Sequence, residues 1–383
     1  MGTADRPLIV GAGPVGLAAA VFLAREGIGT RLVDMSPESS RQSKALAVNP
    51  RTLEILEAVG LTERMLAIGV KMKGACLWRG DQLAATINFD RLKGKYPFML
   101  ALSQAATERL LQEALFDRGG TVERGVRLVD CKNEAGGVIA TLDTSHRQEV
   151  SRAPWMLAAD GAHSTARERL GLKFSGSTFR DKWHLADVAL DIPLAEDCAH
   201  AILLPQGEFQ FLIRVIDPQV ESAVAGPLWR VIGNRPDLLD RLAKGQVIGA
   251  PVWTSDFGIS HRINEAMSAG HIYFAGDAAH IHSPMGARGM NLGIEDAWVF
   301  SHLVQRGELS RYERLRYAVD RRVVRQVCIF SRIVACEPTI LRVLRGVLPQ
   351  LLRWGLPTPR MMAIITGTDH SLDEFAPSKR PVQ

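Results

Sequence analysis

The chain has 383 residues, of which 46% are hydrophobic and 23% are charged, and its formal net charge is +5. This length allows two domains with a sizeable core, and the composition is ordinary for a globular protein. The positive charge is mild and comes without a long basic run, and no run of eighteen or more apolar residues occurs, so the sequence indicates neither a nucleic-acid surface nor a membrane span.

The cysteines and the N-terminus predict a reducing compartment. No CxxC spacing occurs, and the first strand begins almost at once, without a recognisable signal peptide. We therefore expect a cytoplasmic protein with free thiols. The cysteines are Cys76, Cys131, Cys198, Cys328 and Cys336.

The first elements predict a dinucleotide site. Residues 8–10 (LIV) form a short apolar strand and residues 17–24 (LAAAVFLA) a helix, with the pattern GxGxxG between them. In this pattern Gly11 allows the tight turn, Gly13 lets the backbone approach a pyrophosphate, and Gly16 allows close packing of helix on strand. The second strand, residues 30–33, ends at Asp34, whose carboxylate can accept bonds from both hydroxyls of a ribose. The alternative is a glycine-rich turn with a surface aspartate.

The middle of the chain contains both helical and period-two patterns. Ser103 is a plausible N-cap of a helix, and residues 155–159 form a buried strand that ends at Asp160, before a second helix opened by residues 162–167. Alternation over residues 187–192 and 209–215 predicts strands, and the surrounding residues 71–97 and 174–265 are mostly period-two. Residues 238–242 suggest one helix within this sheet-rich region.

A second glycine-rich junction comes late, at residues 276–291 (GDAAHIHSPMGARGMN), between a buried strand at residues 271–275 and a helix that starts near Met290. Small residues, one carboxylate and one proline at such a junction suit close backbone approach to an anionic ligand. Two junctions so far apart in the sequence suggest one long cofactor held by both.

Three motifs in this order, GxGxxG, DGxxSxxR at residues 160–167 and GDAAHxxxPxxxxGxN at residues 276–291, resemble the class A flavoprotein aromatic hydroxylases, which have the para-hydroxybenzoate hydroxylase fold. The likeness covers most of residues 5–320. It implies an α/β fold: a Rossmann-like FAD-binding domain (residues 1–70, 98–173 and 266–320), an inserted sheet-rich substrate domain (residues 71–97 and 174–265), and a C-terminal helical region and tail (residues 321–383).

The resemblance also implies roles in FAD binding. The early glycines would hold the pyrophosphate, Asp34 the adenosine ribose, and Asp277 the ribityl or phosphate end. The N–H groups of residues 286–291 would face the pyrimidine edge of the flavin. Val126, on a strand expected over residues 125–129, would lie beside the adenine. Gln104 would reach the ribityl-phosphate region, and Asp160 would serve both FAD and the nicotinamide cofactor. The full implied set is Gly11, Gly13, Pro14, Val15, Gly16, Asp34, Arg41, Lys44, Gln104, Val126, Asp160, Asp277, Pro284, Gly286, Gly289, Met290 and Asn291.

The activity implied is hydroxylation of an aromatic, phenolic or polyketide-like compound by O₂ and NADH or NADPH, through a flavin C4a-hydroperoxide. The catalytic residues stay unknown; His184, Gln210 and Arg214 are candidates for the substrate pocket, although polar residues in such positions are more often surface or structural residues. A flavin-dependent epoxidase, a double-bond reductase and a non-catalytic FAD-binding protein remain alternatives. We expect no metal site at His280 and His282, because no further ligand stands at the required spacing, and a monomer or a dimer.

Three features depart from the resemblance or are left open by it. Arg288 stands where many relatives have glutamine, and it could contact the flavin or face solvent. Lys44 replaces a usual arginine, for which Arg41 could substitute. The arginine-rich residues 309–354 could form helices that pack on the FAD-binding domain, or a basic surface that docks on a membrane or a partner.

Overall fold

The computed structural model describes residues 6–39, 45–92, 94–145, 147–284, 286–335 and 358–375. The helices are α1 (Pro14–Arg25), α2 (Pro50–Glu57), α3 (Leu61–Ile68), α4 (Gln104–Phe116), α5 (Thr165–Arg169), α6 (Pro218–Glu221), α7 (Gly289–Arg306), α8 (Tyr312–Ala335) and α9 (Thr358–Thr366).

The strands are β1 (Leu8–Val10), β2 (Arg31–Asp34), β3 (Ala47–Val48), β4 (Val70–Met72), β5 (Gly74–Arg79), β6 (Gln82–Asn88), β7 (Met99–Ala101), β8 (Val122–Arg124), β9 (Arg127–Glu134), β10 (Gly137–Asp143), β11 (Gln148–Ala153), β12 (Met156–Ala158), β13 (Phe174–Asp191), β14 (Cys198–Leu203), β15 (Phe209–Arg214), β16 (Leu228–Gly233), β17 (Gln246–Asn264), β18 (Ser268–Ala269), β19 (Ile272–Phe274) and β20 (His280–Ile281).

A six-stranded sheet with the order β18-β19-β12-β1-β2-β8 forms the centre of the FAD-binding domain. All of its pairings are parallel except that of β18 with β19. Strands β1, β12 and β19 are completely buried, as expected for short apolar strands covered on both faces. The parallel arrangement brings the carboxyl ends of β1, β2, β12 and β19, which precede or contain Gly11, Asp34, Asp160 and Gly276, to one edge of the sheet.

The sheet of the substrate domain has eight strands in the order β20-β17-β13-β16-β15-β14-β5-β6. It takes β5 and β6 from one part of the chain and β13 to β17 from another, and its pairings are antiparallel apart from that of β14 with β5. The edge strand β20, which is the last of these strands along the chain, comes from the late glycine-rich junction and pairs with Arg262 and Ile263 of β17. The late junction is therefore part of both domains.

Two smaller sheets, β11-β10-β9 and β3-β7-β4, complete the fold. Helices α1 and α7 lie side by side, and the rings of Phe22 and Trp298 meet edge to face with their centroids 5.0 Å apart. Among the described residues, no helix combines the length and the apolar character that crossing a membrane would require.

The structure differs from four sequence-based predictions. Val126 lies between β8 and β9, not within a strand, because Gly125 adopts φ +70° and breaks the extended chain. Residues 238–242 form a turn, not a helix. Helix α8 runs without a break through the boundary expected between residues 320 and 321, and β4 joins the small sheet of β3 and β7, not the sheet of the substrate domain. Arg41, Lys44 and residues 336–354 of the arginine-rich C-terminal segment lie outside the described residues, whereas Tyr312–Ala335 of that segment form α8.

Candidate functional site

The three glycines of the early junction have different surroundings. A Cβ atom on Gly11, which has φ +100°, would lie 2.2 Å from the carbonyl oxygen of Ala159, and a Cβ on Gly16 would lie 1.8 Å from the oxygen of Gly11. A Cβ on Gly13 would meet no described atom within 4 Å. Gly11 and Gly16 are therefore required for packing within the protein, whereas Gly13 faces an open space in which a ligand can approach the backbone.

The N-terminus of α1 opens onto the same space. Gly13 occupies the N-cap position, Pro14 occupies the first turn, and no described side chain caps the helix. Such a helix end offers free N–H groups and a positive dipole to an anion. The open space at Gly13 and the uncapped helix together fit the pyrophosphate of a dinucleotide.

Asp34 lies beside this turn at the end of β2. Its Oδ2 accepts a hydrogen bond from the backbone N–H of Ala12 (2.6 Å) and its Oδ1 from that of Ser36 (2.8 Å). The N–H of Val126 donates to the carbonyl oxygen of Asp34 (2.9 Å). Arg124 Nη1 lies 3.7 Å from Asp34 Oδ1. The structure thus brings together Asp34 and Val126, the two residues that the resemblance implies for one adenosine group.

Val15 joins the early junction to the late one. Its side chain would lie 2.8 Å from a Cβ on Gly276 and 2.5 Å from a Cβ on Gly293 of α7. The absence of side chains at these two glycines lets α1 and α7 approach closely. Asp277, next to Gly276, is exposed in a short 3₁₀ helix. Two motifs separated by most of the sequence therefore line one site.

The late turn, residues 286–289, leads into α7. Gly286 and Ala287 both have positive φ, +93° and +52°, and the N–H of Ala287 donates to the carbonyl oxygen of Pro284 (3.1 Å). No described side chain caps α7. Its N–H groups are therefore available to a ligand, as those of α1 are. Pro284 is exposed, whereas Met290 is buried.

Asn291 holds the late turn to the rest of the FAD-binding domain. Its Nδ2 donates to the carbonyl oxygens of Ala47 (3.0 Å) and Ala287 (2.6 Å), and its Oδ1 accepts from the N–H of Asn49 (3.0 Å). The Asn291 side chain is thus used within the protein, which leaves its backbone N–H for the role implied by the resemblance.

Two further expected residues have buried polar surroundings. Asp160 Oδ2 accepts from the N–H of Ala166 (3.3 Å), while its Oδ1 is buried without a hydrogen-bond partner among the described residues; burial raises the pKa of Asp160. Gln104 Oε1 accepts from the N–H of Ala45 (3.1 Å), and its Nε2 donates to Glu108 (2.8 Å), whose pKa burial raises to about 7. The open space, the two uncapped helices and the unpaired Asp160 oxygen fit FAD.

The two faces of the substrate sheet have different neighbours. Ile213 and Leu228 belong to an apolar cluster with Leu46 and Met99 of the FAD-binding domain, and Ala287 of the late turn packs against it. The opposite face carries Leu212, Trp229 and Val231, whose cluster contains residues of the substrate domain only. We call these the inner and the outer face.

All three pocket candidates lie on the outer face. In the cross-strand register, His184 and Gln210 are opposite Gly233, and Arg214 is opposite Trp229. Each side chain is held within the substrate domain. His184 Nδ1 lies 2.7 Å from Asp256 Oδ1. The side-chain amide of Gln210 donates a hydrogen bond to the carbonyl oxygen of Arg241 and accepts one from the N–H of Ala243. Arg214 forms ion pairs with Glu196 and Glu221.

The inner face carries a charged pair that the sequence interpretation missed. One cross-strand row contains Ile213, Arg230, Asp187 and Trp253. Arg230 donates from Nε and Nη2 to the two oxygens of Asp187, both at 2.7 Å, and its guanidinium lies 5.0 Å from the centroid of the Trp253 ring. Burial raises the pKa of Asp187. The alternation of residues 228–233 places Arg230 on the face of Leu228, a signal that could have identified it.

A buried network lies behind the late junction. His280 Nε2 contacts Asp296 Oδ2 (2.8 Å), and Asp320 lies within 3.9 Å. These three residues could geometrically hold a metal ion. Arg316 already donates to Asp296 (2.7 Å) and Asp320 (2.9 Å), so a guanidinium takes the place of a metal cation there. Burial opposes protonation of His280, but the two carboxylates raise its pKa to about 9.

Comparisons with known proteins agree with this geometry. The family described as FAD binding domain matches residues 6–327. The chain is 38% identical to 6-methylpretetramide 4-monooxygenase of Streptomyces rimosus, over 83% of this chain and 59% of that protein. It is 30% identical to pentachlorophenol 4-monooxygenase of Sphingobium chlorophenolicum, over 83% of this chain and 62% of that protein. The chain thus spans about three fifths of the length of these curated relatives.

The fold has a close counterpart among solved structures. The p-nitrophenol 4-monooxygenase PnpA from Pseudomonas putida DLL-E4 superimposes with a TM-score of 0.84 at 21% identity, over 100% of both chains. This likeness concerns the fold alone. The family match covers most of the sequence, including both glycine-rich junctions. The chain therefore belongs to the FAD binding domain family.

Proposed function

We propose that the protein is a flavin-dependent monooxygenase that uses NAD(P)H and O₂ to hydroxylate an aromatic, phenolic or polyketide-like compound. The single observation that carries the proposal is the apolar cluster that joins the inner face of the substrate sheet to Ala287 of the late turn. It supports the proposal because an apolar surface suited to an aromatic ring lies next to the motif that, by the resemblance, would bind FAD. The relatives named as monooxygenases of pretetramide and chlorophenol compounds support the same class of substrate.

FAD, when bound, would supply the redox chemistry and the activation of O₂. The residues of this chain would bind and orient the reactants. The backbone at Gly13 and the N-terminus of α1 would hold the pyrophosphate, and Asp34 the adenosine ribose. The N-terminus of α7 would stabilise negative charge on the reduced ring system.

The inner face would bind the substrate. Its side chains next to the late turn are apolar, apart from the buried pair of Arg230 and Asp187. Such a surface excludes water and offers one polar contact, which suits an aromatic ring that carries an oxygen substituent. We infer that His184, Gln210 and Arg214 serve the stability of the substrate domain, since all three lie on the outer face.

The decisive experiment uses the full chain, purified and loaded with FAD. The rates of NADH and NADPH oxidation are measured with a single-ring phenol, a polycyclic phenol and a non-aromatic alkene. The masses of the products are then determined by mass spectrometry after reaction under isotopically labelled O₂. We expect phenols to accelerate oxidation of the nicotinamide and to gain one oxygen atom from O₂.

The other outcomes separate the alternatives. Oxygen inserted only into the alkene would indicate an epoxidase, and a saturated alkene without oxygen uptake would indicate a double-bond reductase. Bound FAD that neither nicotinamide reduces, with any of these ligands, would indicate a non-catalytic binding protein. We also infer a cytoplasmic location, because the described cysteines Cys76, Cys131, Cys198 and Cys328 are free thiols; cell fractionation tests it.

A further inference from the structure

Arg288 is buried beside a carboxylate, an environment that the sequence did not predict. It occupies the N-cap position of α7, yet its side chain is only 1% exposed. A cation at the N-terminus of a helix is repelled by the helix dipole, and burial removes its hydration; burial accordingly lowers the pKa of Arg288. An arginine in this position needs a carboxylate partner. Asp369 supplies it, with Oδ1 3.2 Å from Arg288 Nη2.

Asp369 belongs to a segment that crosses the late turn, residues 358–375, which we call the C-terminal strap. His370 Nε2 lies 2.5 Å from Glu295 of α7, and its Nδ1 lies 3.3 Å from Asp369. Burial opposes protonation of His370, but the two carboxylates raise its pKa. The His370 carbonyl oxygen accepts from Arg51 Nη2 (3.0 Å) of α2. The strap is thus fixed by charged contacts to two helices of the FAD-binding domain.

The strap also packs tightly at the same point. A Cβ on Gly367, which has φ +80°, would lie 2.9 Å from both Arg288 Nη1 and Asn49 Nδ2. Met362 of α9 is buried in the cluster that joins the inner face to the FAD-binding domain, and Ile365 and Ala287 pack against that cluster. The strap therefore touches both the late turn and the surface proposed for the substrate.

The late turn needs such support. Ala287 adopts φ +52°, a left-handed conformation that is unfavourable for a residue with a Cβ atom. Strained backbone of this kind persists only where neighbouring contacts hold it. Asn291 holds the turn on one side, through its bond to the Ala287 carbonyl oxygen, and the pairing of Arg288 with Asp369 holds it on the other.

We propose that the C-terminal strap is a clasp for FAD, in which Asp369 fixes Arg288 and thereby the conformation of the late turn. Arg288 and Asp369 are positioning residues, which act on FAD through the turn and the N-terminus of α7. The proposal rests on the FAD-binding part of the proposed function, and not on the oxygenation reaction. It predicts that FAD affinity depends on a residue far from both glycine-rich junctions in the sequence.

The test measures the Kd of FAD by titrating apoprotein and following the quenching of flavin fluorescence. Asp369→Asn and Arg288→Gln should each raise the Kd about tenfold, because either change breaks the buried ion pair that fixes the turn. Asp369→Glu, which keeps the charge, should restore most of the affinity. Hydrogen exchange of the amides of residues 286–292 in the apoprotein should be faster in Asp369→Asn than in the wild type.

Two comparisons make the outcome decisive. Phe375→Ala removes packing of the end of the strap on His302 and Arg306 of α7 without touching the pair of Arg288 and Asp369; it should lower thermal stability and leave the Kd unchanged. The double variant of Arg288→Gln with Asp369→Asn has no unpaired buried charge, so it remains measurable even if a single variant fails to fold, and its Kd should match that of a single variant. Wild-type affinity in the double variant, or an equal loss in Phe375→Ala, overturns the proposal. Failure of the wild type to oxygenate phenols would overturn the proposed reaction alone.

Discussion

Neighbouring glycines in one motif have separable roles at the residue scale. Gly11 and Gly16 are excluded from carrying a side chain by protein atoms 2.2 Å and 1.8 Å away, whereas Gly13 faces open space. The sequence pattern predicts a tight turn at Gly11, backbone approach to a pyrophosphate at Gly13 and packing of helix on strand at Gly16, and the resemblance implies a role in cofactor binding for all three. In the structure, Gly11 and Gly16 are required for the packing of β1, α1 and β12. A side chain at Gly13 would contact no described atom, so a substitution there would interfere only with a bound ligand.

Gly13→Ala should therefore separate binding from folding. We expect the melting temperature of the apoprotein to stay near that of the wild type, because the added methyl group meets no described atom within 4 Å. The Kd of FAD should rise by about tenfold or more, because the methyl group occupies the space of the pyrophosphate.

Gly11→Ala should instead lower the melting temperature of the apoprotein itself, since it clashes with backbone and is strained at φ +100°. Gly29→Ala, at an exposed position with equal room, is the matched control for both measurements. An unchanged FAD affinity in Gly13→Ala would remove the pyrophosphate from this turn.

At the scale of elements, β15 shows what a sequence pattern can and cannot decide. Alternation correctly predicts a strand over residues 209–215, and short apolar runs correctly predict β1, β12 and β19. Alternation defines two faces but does not say which one is covered by the FAD-binding domain, because that depends on contacts distant in sequence. The pattern therefore offers Gln210 and Arg214, which the structure places on the outer face, and gives no reason to prefer Arg230, which the register places opposite Ile213.

The same limit explains two other differences. Residues 238–242 form a turn. The side chain of Gln210, which is distant in sequence, donates a hydrogen bond to the carbonyl oxygen of Arg241 and accepts one from the N–H of Ala243. Helix propensity reflects only the local sequence, so it could not predict these contacts. Arg288 could not be interpreted from its motif, because its partner Asp369 lies in the strap, well beyond the family motifs. The roles of the glycines, the N-cap at Ser103 and the short buried strands were predictable, because they are local or carried by the resemblance.

Two neighbouring residues of β15 test the assignment of its faces. Ile213→Ala and Leu212→Ala each remove a buried aliphatic side chain, from the inner and the outer face respectively. Each should lower the free energy of unfolding by about 2–4 kcal/mol. Only Ile213→Ala should raise the KM for an aromatic substrate, by several fold.

Steady-state kinetics beside denaturant titration of the same preparations distinguishes the two effects. The inner face is not the substrate surface if both variants have the wild-type KM, or if Leu212→Ala shows the larger increase.

Across the whole molecule, one buried network connects the two domains with the late helices. His280 belongs to a strand of the substrate sheet, Asp296 to α7, and Arg316 and Asp320 to α8. Asp296 Oδ2 also accepts from the N–H of Gly276 in the late junction (3.0 Å). The arrangement makes the protonation of a single imidazole relevant to the stability of the entire fold.

The network predicts a loss of stability at alkaline pH. The pKa of His280 rises from 6.5 to about 9 on folding, so its stabilising contribution is complete below pH 6.5 and disappears as the pH rises through 9. For a group 1% exposed, this amounts to about 2–3 kcal/mol of the free energy of unfolding. Denaturant unfolding of the apoprotein between pH 6.5 and 9.5 measures it.

The variant His280→Gln can keep a hydrogen bond to Asp296 but cannot titrate, so its stability should change less over this pH range. His271→Gln, at an exposed position, should retain the wild-type dependence. A wild type whose stability is flat from pH 6.5 to 9.5 would mean that His280 is neutral in the folded protein.

The pairing of β20 with β17 has a consequence for how such proteins can be recombined. His280 and Ile281 of the late junction form the edge strand of the substrate sheet. A chimera that takes its substrate domain from a relative therefore cannot have its sequence junctions at the start of β5 and the end of β17 without dividing this sheet between two parents. A graft that replaces β17 alone would set a foreign strand against the native β20 and shift the register of the junction that follows it. Chimeras should therefore carry β17 through β20 as one block from a single parent.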